Sequence, residues 1–221
     1  MIETLNYFHY NTIDSTNEEA KRLIDAGKIK DIAVVIAEKQ TKGKGTHART
    51  WISPKGAGIY LSIIRIIARS KATKQSPNEL RNEIASGFSS PRNDALVMSA
   101  AIACVEAIKK ICNLETKIKP INDIYALGKN GKKLGGILIE TRMNENGINA
   151  LITGIGINTH VACRDVARNV STSIEELMQE DFKQFSKENL IQKIIEKVCF
   201  YHSIVFNGKN NEIHYKYESL I

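Results

Sequence analysis

A loop of glycines, cations and one tryptophan constrains this chain more than any other segment. It spans Gln40-Thr-Lys-Gly-Lys-Gly-Thr-His-Ala-Arg-Thr-Trp51 and follows the apolar run Ile32–Ala37, which is typical of a buried strand. Gly43 and Gly45 let the backbone approach a ligand closely or adopt a positive φ. The sequence therefore predicts a ligand-binding loop that leaves a core strand. A solvated basic loop with its tryptophan in the core would have the same composition.

The side chains of this loop suit a nucleotide that carries an acyl or phosphoryl group. Lys44, His47 and Arg49 offer donors to anionic oxygens. Trp51 is the only tryptophan in the chain and offers a flat face on which a base can stack. A basic, glycine-rich loop is not specific by itself, so its function depends on the segments that accompany it.

A second polar segment, Asp14-Ser-Thr-Asn17, follows a strand-like run that begins at Tyr7. Ser15 and Glu18 have the spacing of a capping box for the amphipathic helix that comes next. The segment is therefore either a helix cap alone or also a group of three short polar side chains that face a neutral polar ligand.

Two further segments place glycines inside strand patterns. The first runs from Lys119-Pro-Ile-Asn-Asp123 through a predicted hairpin turn at Asn130-Gly131 to Lys132–Glu140. Gly135-Gly136 within it indicates a bulge or a close approach of another chain segment. The second, Leu151-Ile-Thr-Gly-Ile-Gly-Ile-Asn158, ends in an amide that can both donate and accept.

Together these segments resemble biotin protein ligases over roughly residues 7–158. The matching motifs are Ser-Thr-Asn, the glycine-rich loop ending in tryptophan, Lys-x-x-Asn-Asp, Lys-Lys-x-x-Gly-Ile-Leu-x-Glu and Gly-x-Gly-Ile-Asn, in that order. Lys44 and Thr46 stand where the family pattern has arginines, and Ala48 stands where it has glycine. Pro120-Ile121 replaces the tryptophan and proline of the family's Lys-Trp-Pro-Asn-Asp motif.

The resemblance implies a cytoplasmic, ATP-dependent ligase. Such an enzyme uses ATP and Mg²⁺ to activate biotin as biotinyl-5′-AMP. It then transfers the biotinyl group to a lysine of a biotin carboxyl carrier protein, in acetyl-CoA carboxylase or a similar enzyme. One alternative is a lipoate or octanoate ligase of the same fold, but its Arg-Arg-x-x-Gly-Gly-Gly motif does not occur here. The other is a degenerate, non-catalytic protein that only binds biotin.

The resemblance also implies residue roles. Lys133 is expected to hold the biotin carboxylate and the α-phosphate, with Lys119 as a supporting cation. Asp123 is expected to bind Mg²⁺ or to orient the incoming lysine. The expected biotin-binding residues are Ser15, Thr16, Asn17, Gln40, Gly43, Lys44, Lys133, Gly136, Gly154 and Gly156. The expected ATP- or AMP-binding residues are Lys44, Arg49, Trp51, Asn122 and Asn158.

Composition is that of a globular protein with one hydrophobic core. The chain has 221 residues, of which 43% are hydrophobic and 25% charged. No apolar run is long enough to span a membrane, and no signal peptide is recognisable. The net charge of +7 is compatible with an acidic protein partner. Only 6% of the residues are aromatic and no helix-turn-helix pattern occurs, which disfavours DNA as a partner. Cys104 and Cys199 fall on apolar helical positions, which predicts buried thiols.

The pattern predicts an α/β (α+β) fold in which helices flank a mixed, largely antiparallel sheet of the biotin/lipoate ligase type. Predicted strands are 7–13, 32–39, 58–67, 116–119, 123–127, 132–141 and 147–156, with helices at 15–26 and 95–111. One catalytic domain is expected over 1–221, with a polar insertion at about 68–94. An N-terminal helix-turn-helix domain is not expected, and the family's C-terminal β-barrel is expected to be missing or truncated. The family's edge-strand pairing favours a homodimer.

Overall fold

A seven-stranded sheet forms the centre of the protein in the computed structural model, which describes residues 5–67, 91–127, 131–144, 147–161 and 170–221. The strands are β1 (Asn6–Tyr10), β2 (Ile32–Ala37), β3 (Gly58–Ile66), β4 (Thr116–Lys119), β5 (Asp123–Ala126), β6 (Lys133–Asn144) and β7 (Gly147–Asn158). Their order across the sheet is β1-β2-β3-β7-β6-β5-β4. Only the β1–β2 pair is parallel, so the predicted mixed, largely antiparallel fold is confirmed.

Five α-helices occur in the described residues. They are α1 (Thr16–Asp25), α2 (Pro91–Cys112), α3 (Ile174–Met178), α4 (Lys187–Phe206) and α5 (Asn210–Glu218), and a 3₁₀ helix (Gln179–Gln184) follows α3. The Ser173 hydroxyl accepts a hydrogen bond from the Glu176 backbone N–H and caps α3. None of the described helices is long and apolar enough to cross a membrane.

One face of the sheet packs against α2, α4 and α5. Ile155 and Ile157 of β7 point to this side, because side chains alternate between the two faces of a strand. The middle of α2, Ala100 to Cys104, is fully buried. Its small alanine side chains let neighbouring elements approach the helix axis closely, and this region forms the main hydrophobic core.

The opposite face is covered by α1 over β2, β3 and the first half of β7. Leu23 and Ile24 of α1 pack there with Val35, Ile64 and Ile152. Beyond that cluster the same face carries glycines at Gly154 and Gly156 of β7 and at Gly136 of β6. This change in residue size creates the space for the site described below.

The predicted strands and the two predicted helices are confirmed, with shifted ends. Helix α2 begins at Pro91, so the predicted insertion ends before residue 94; proline suits the first helical position because its missing N–H has no intrahelical partner there. The remainder of the insertion, residues 68–90, and the hairpin residues 128–130 lie outside the described residues. The capping-box interpretation of Ser15 is wrong, because Ser15 is the N-cap residue but its side chain makes no capping bond.

The thiol predictions are confirmed in part. Cys104 is fully buried, and burial raises the pKa of its thiol to about 12. Cys199 is only half-buried, because it lies at the margin of the cluster around α4, and burial raises its pKa as well.

Candidate active site

A narrow cleft lies on the glycine-bearing part of the sheet face that carries α1, with about 480 Å³ of empty space when the part open to solvent is included. Its lining comprises Ser15, Thr16, Asn17, Gln40, Lys44, Gly45, Thr46, Trp51, Asn122, Asp123, Lys133, Gly136, Ile137, Leu138, Gly154, Ile155 and Gly156. The four motif segments that are far apart in the sequence therefore meet at one place. All predicted site residues line this cleft except Gly43, Arg49, Lys119 and Asn158.

An ion pair between Lys133 and Asp123 occupies one end of the cleft. The β5–β6 pairing brings the two residues together, with an irregularity in register between Ile124 and Tyr125. The Lys133 Nζ atom lies 2.6 Å from the Asp123 Oδ1 atom and 5.3 Å from the centre of the Trp51 ring. Lys133 is also held by its backbone, whose N–H donates to the Val170 carbonyl over 2.9 Å. The result is a positioned ammonium group at a site that an anion can enter.

Trp51 lies flat against two of the site glycines. A Cβ atom on Gly156 would lie 2.5 Å from the Trp51 Cε2 atom, and one on Gly136 would lie 3.4 Å from its Cζ3 atom. At Gly154 the added atom would lie 2.4 Å from the Oδ1 atom of Asn17. In this structure Gly136, Gly154 and Gly156 make room for the side chains of Trp51 and Asn17.

The other end of the cleft is polar and uncharged. The Gln40 Oε1 atom accepts hydrogen bonds from the Thr16 N–H over 2.8 Å and from the Thr16 hydroxyl over 3.2 Å. The Gln40 Nε2 atom donates to the Ser53 hydroxyl over 2.8 Å. These contacts fix the orientation of the Gln40 amide. Ser53 was not predicted as a site residue, because it belongs to no motif. The loop that follows β2 folds back so that Ser53 pairs with Gln40.

A network of charged and polar groups joins the polar end of the cleft to the glycine-rich loop. The Asn17 Nδ2 atom donates to Glu140 over 2.7 Å, and Lys21 donates to the other oxygen of Glu140 over 2.7 Å. Lys21 also contacts Glu18, whose carboxylate accepts from the loop residue Lys44 over 2.5 Å. Burial alone would lower the pKa of Lys21, but the hydrogen bonds to Glu140 and Glu18 raise it overall.

The loop itself is a small hairpin. The Trp51 N–H donates to the Gly43 carbonyl over 2.9 Å, and the Gly45 N–H donates to the Arg49 carbonyl over 2.7 Å. At its tip, His47 and Ala48 have positive φ values of 55° and 56°. Ala48 therefore adopts a left-handed conformation at the position where the family pattern has glycine, the residue that tolerates it best.

Four predicted site residues lie outside the cleft. Gly43 is buried at the base of the loop, and the exposed Arg49 donates to the Thr46 carbonyl and hydroxyl. Lys119 is exposed beside the Tyr125 ring, 5.1 Å from its centre. Asn158 is buried and donates to the Thr172 carbonyl over 3.0 Å, so its amide nitrogen is engaged by the backbone.

Asn122 lines the cleft but is committed to the backbone of β6. Its Nδ2 atom donates to the Ile137 carbonyl over 2.8 Å. Asp123 is the only carboxylate among the described residues that line the cleft. No group of three or more histidines, cysteines or carboxylates in the described residues is arranged to hold a metal ion. Asp123 alone could contribute one oxygen to a magnesium ion whose remaining ligands come from phosphates and water.

Curated proteins that are similar to this chain include biotin ligases. Bifunctional ligase/repressor BirA of Bacillus spizizenii is 30% identical over 192 residues, which are 87% of this chain and 51% of that protein. Biotin–[acetyl-CoA-carboxylase] ligase of Paracoccus denitrificans is 30% identical over 147 residues, or 66% of this chain and 51% of that protein. The chain thus spans about half the length of these relatives.

Solved structures share the fold. Biotin protein ligase from Aquifex aeolicus in complex with biotin and ATP aligns with a TM-score of 0.71 at 21% identity, covering 98% of this chain and 78% of that one. The enzyme from Leishmania major in complex with biotinyl-5-AMP aligns with a TM-score of 0.72 at 23% identity, covering 98% and 81%. The model of the biotin/lipoate A/B protein ligase family matches residues 10–158, which contain every motif that builds the cleft, and the chain belongs to this family.

Proposed function

We propose that this protein activates biotin with ATP and transfers the biotinyl group to a lysine of a biotin carboxyl carrier protein. One observation carries the proposal: a single cleft has a neutral polar end at Gln40 and Thr16 and a cationic end at Lys133. Biotin has the same polarity, with a neutral ureido ring at one end and a carboxylate at the other. The relatives named as biotin ligases support this match.

The polar end suits the ureido ring. Ser15, Thr16, Asn17 and Gln40 together offer both donors and acceptors, and a cyclic urea needs both. Between the two ends, Leu138 gives an apolar wall that suits the valeryl chain. Thr16 and Ser53 already orient Gln40, so little further conformational entropy of this side chain is lost when the ligand binds.

The cationic end suits the adenylation step. In that step an oxygen of the biotin carboxylate attacks the α-phosphorus of ATP, and pyrophosphate leaves with the electrons of the broken P–O bond. Both reactants are anions, so a fixed cation stabilises the charge that develops between them. Lys133 is placed for this role. On arrival of the anions, its ammonium group would exchange part of its contact with Asp123 for the carboxylate and the α-phosphate.

Magnesium is expected to enter with ATP. Asp123 would supply a carboxylate ligand to it, and the remaining ligands would come from phosphates and water. Lys44, which lines the cleft from the loop, is the proposed second contact for phosphate. Trp51 lies beside Lys133 and is proposed to border the adenosine part of the intermediate.

The transfer step requires a second protein. The ε-amine of a carrier lysine attacks the carbonyl of biotinyl-5′-AMP, forms the amide and releases AMP. Asp123 would orient that amine, because it is the carboxylate that the part of the chain described in the structure places at the reacting end of the cleft. By analogy with the relative from Paracoccus denitrificans, we propose the carrier domain of acetyl-CoA carboxylase as the acceptor. The cytoplasm is the location that we propose from the family resemblance.

Exchange of labelled pyrophosphate into ATP tests the proposal. The purified protein should catalyse exchange that depends on biotin and should label a carrier domain but not its Lys→Arg variant. Lipoate and octanoate at the same concentration serve as matched controls. Exchange with lipoate but not biotin would contradict the substrate assignment. Tight biotin binding without any pyrophosphate exchange would mean that the protein binds biotin but does not activate it.

A further inference from the structure

A continuous line of hydrogen bonds runs from the buried side of the cleft to its loop. Its members in order are Ser62, Asn17, Glu140, Lys21, Glu18 and Lys44. The Ser62 hydroxyl donates to the Asn17 Oδ1 atom over 2.5 Å, and the Asn17 Nδ2 atom donates to Glu140 over 2.7 Å. Asn17 is buried and lines the cleft. The two ends of its amide are therefore both engaged before any ligand contact.

The two neighbours of Asn17 do not have equal influence on its orientation. A hydroxyl both donates and accepts, so Ser62 could pair with either end of the amide. An ionised carboxylate only accepts, so Glu140 can pair only with the Nδ2 end. Glu140 thus determines which end of the amide faces Ser62. It also determines where Asn17 keeps its second N–H and its second acceptor lone pair for a ligand.

Lys21 holds Glu140 in this role. Its ammonium group donates to the Oε1 atom of Glu140 over 2.7 Å, while the Oε2 atom accepts from Asn17. The two contacts use different oxygens and do not compete. A cation at Lys21 requires an acceptor opposite it, so the Oε1 atom of Glu140 stays turned toward Lys21 and the Oε2 atom toward Asn17.

We propose that Glu140 is a positioning residue for substrate binding, which fixes the amide orientation of Asn17 and so sets the affinity for the ureido ring of biotin. This inference rests on the proposed function, because the ligand is identified there. Glu140 acts through Asn17 and makes no contact with the reacting atoms. Its loss should therefore weaken biotin binding and leave the rate of adenylation at saturating biotin nearly unchanged.

The sharpest test is the isosteric variant Glu140→Gln. Opposite Lys21, the new amide must place its Oε1 atom on the ammonium group and its Nε2 atom on Asn17. The Asn17 amide then has to reverse. We expect the dissociation constant for biotin, measured by calorimetry without ATP, to rise about tenfold or more. The kcat for adenylation at saturating biotin should stay within about twofold of the wild type.

Lys21→Met provides the rescue. In the double variant Lys21→Met/Glu140→Gln no cation lies opposite the new amide, so the amide can turn its oxygen toward Asn17. The dissociation constant of this double variant for biotin should lie within about threefold of the wild-type value. Asp25→Asn is the matched control. It removes the only other ion pair between α1 and β6 that the described residues contain, that of Asp25 with Arg142, at an exposed position away from the cleft. Its biotin affinity should be unchanged.

Three outcomes would overturn the inference: wild-type affinity in Glu140→Gln, equal weakening in Asp25→Asn, or no recovery in the double variant. The second outcome would mean that Glu140 only fastens α1 to β6. Thermal unfolding of each variant shows whether it still folds. If Glu140→Gln does not fold, the biotin affinity of the double variant decides the test. A wild-type protein that binds no biotin would overturn the proposed function and this inference together. Normal wild-type binding with unaffected Glu140 variants would overturn this inference alone.

Discussion

The contact between Gly156 and Trp51 allows a sharp prediction about the architecture of the site. A methyl group at Gly156 would lie 2.5 Å from the Cε2 atom and 2.6 Å from the Nε1 atom of Trp51. Non-bonded carbon atoms rest at about 3.5–4.0 Å, so Gly156→Ala requires a shift of about 1 Å. Strand β7 is paired on both sides, with β3 and β6, and is the less yielding partner. We therefore expect the indole to move.

The size of the effect follows from how Trp51 is held. Its N–H donates to the Gly43 carbonyl over 2.9 Å, and its carbonyl accepts from the Ser53 hydroxyl over 3.1 Å. With the backbone fixed, relief must come from rotation of the side chain away from β7 and toward solvent. Overpacking of this kind costs about 1–3 kcal/mol. We expect the free energy of unfolding of Gly156→Ala to fall by that amount.

Intrinsic fluorescence gives a direct assay, because Trp51 is the only tryptophan. Gly156→Ala should shift the emission maximum to longer wavelength and increase quenching by acrylamide. Gly27→Ala is the matched control, since Gly27 has a positive φ of 64° and no atom within 4 Å of an added Cβ. It should lose stability through backbone strain without changing the emission. Unchanged emission, quenching and stability in Gly156→Ala would refute the reasoning.

Three further predictions concern the reaction and the core. Lys133→Ala should keep its fold but lose biotin-dependent pyrophosphate exchange by about 100- to 1,000-fold, or about 2.7–4 kcal/mol, and near-normal exchange would remove Lys133 from the mechanism. Thr46→Arg should slow the release of biotinyl-5′-AMP and reduce labelling of a bystander protein, because threonine supplies no charge to the loop; two unchanged rates would show that retention rests on other residues. Burial, assisted by Arg65, lowers the pKa of His202 from 6.5 to about 4. The unfolded chain then binds the proton more tightly, so this contribution to stability is complete above pH 6.5 and is lost as the pH falls to about 4. At about 1.4 kcal/mol per pH unit the loss is about 3 kcal/mol, and chemical denaturation across this range should show a shallower decline in His202→Leu.

The fold was predictable where periodicity and length left little choice. The predicted strand 32–39 became β2, which ends at Ala37, and the apolar pattern of 95–111 became α2. The ends of elements were less predictable, since they depend on tertiary contacts. Strand β7 extends to Asn158 because it pairs with β3 as far as Gly58, a partner that no local pattern reveals.

The site was predictable only where a motif marked it. Matching motifs found Lys133, Asp123 and Gln40, which the structure brings into one cleft. The motifs did not reveal the contact between Lys21 and Glu140. These two residues are 119 positions apart in the sequence and meet only when α1 packs beside β6. The sequence also did not reveal that Gly156 and Gly154 lie against the side chains of Trp51 and Asn17, because those contacts form only in the folded chain.

The charges of the loop bear on how firmly an activated intermediate can be held. Lys44 is the only cation of the loop that lines the cleft, and it is paired with Glu18. The two side chains are 46% and 31% exposed, so the pair contributes at most about 1 kcal/mol. A phosphate can therefore displace Glu18 at little cost. Arg49 cannot readily add a second contact, since its guanidinium group is turned back onto Thr46. Lys44 is thus available to bind the phosphate of the intermediate. What limits the retention of biotinyl-5′-AMP by charge is the absence of a second cation at Thr46.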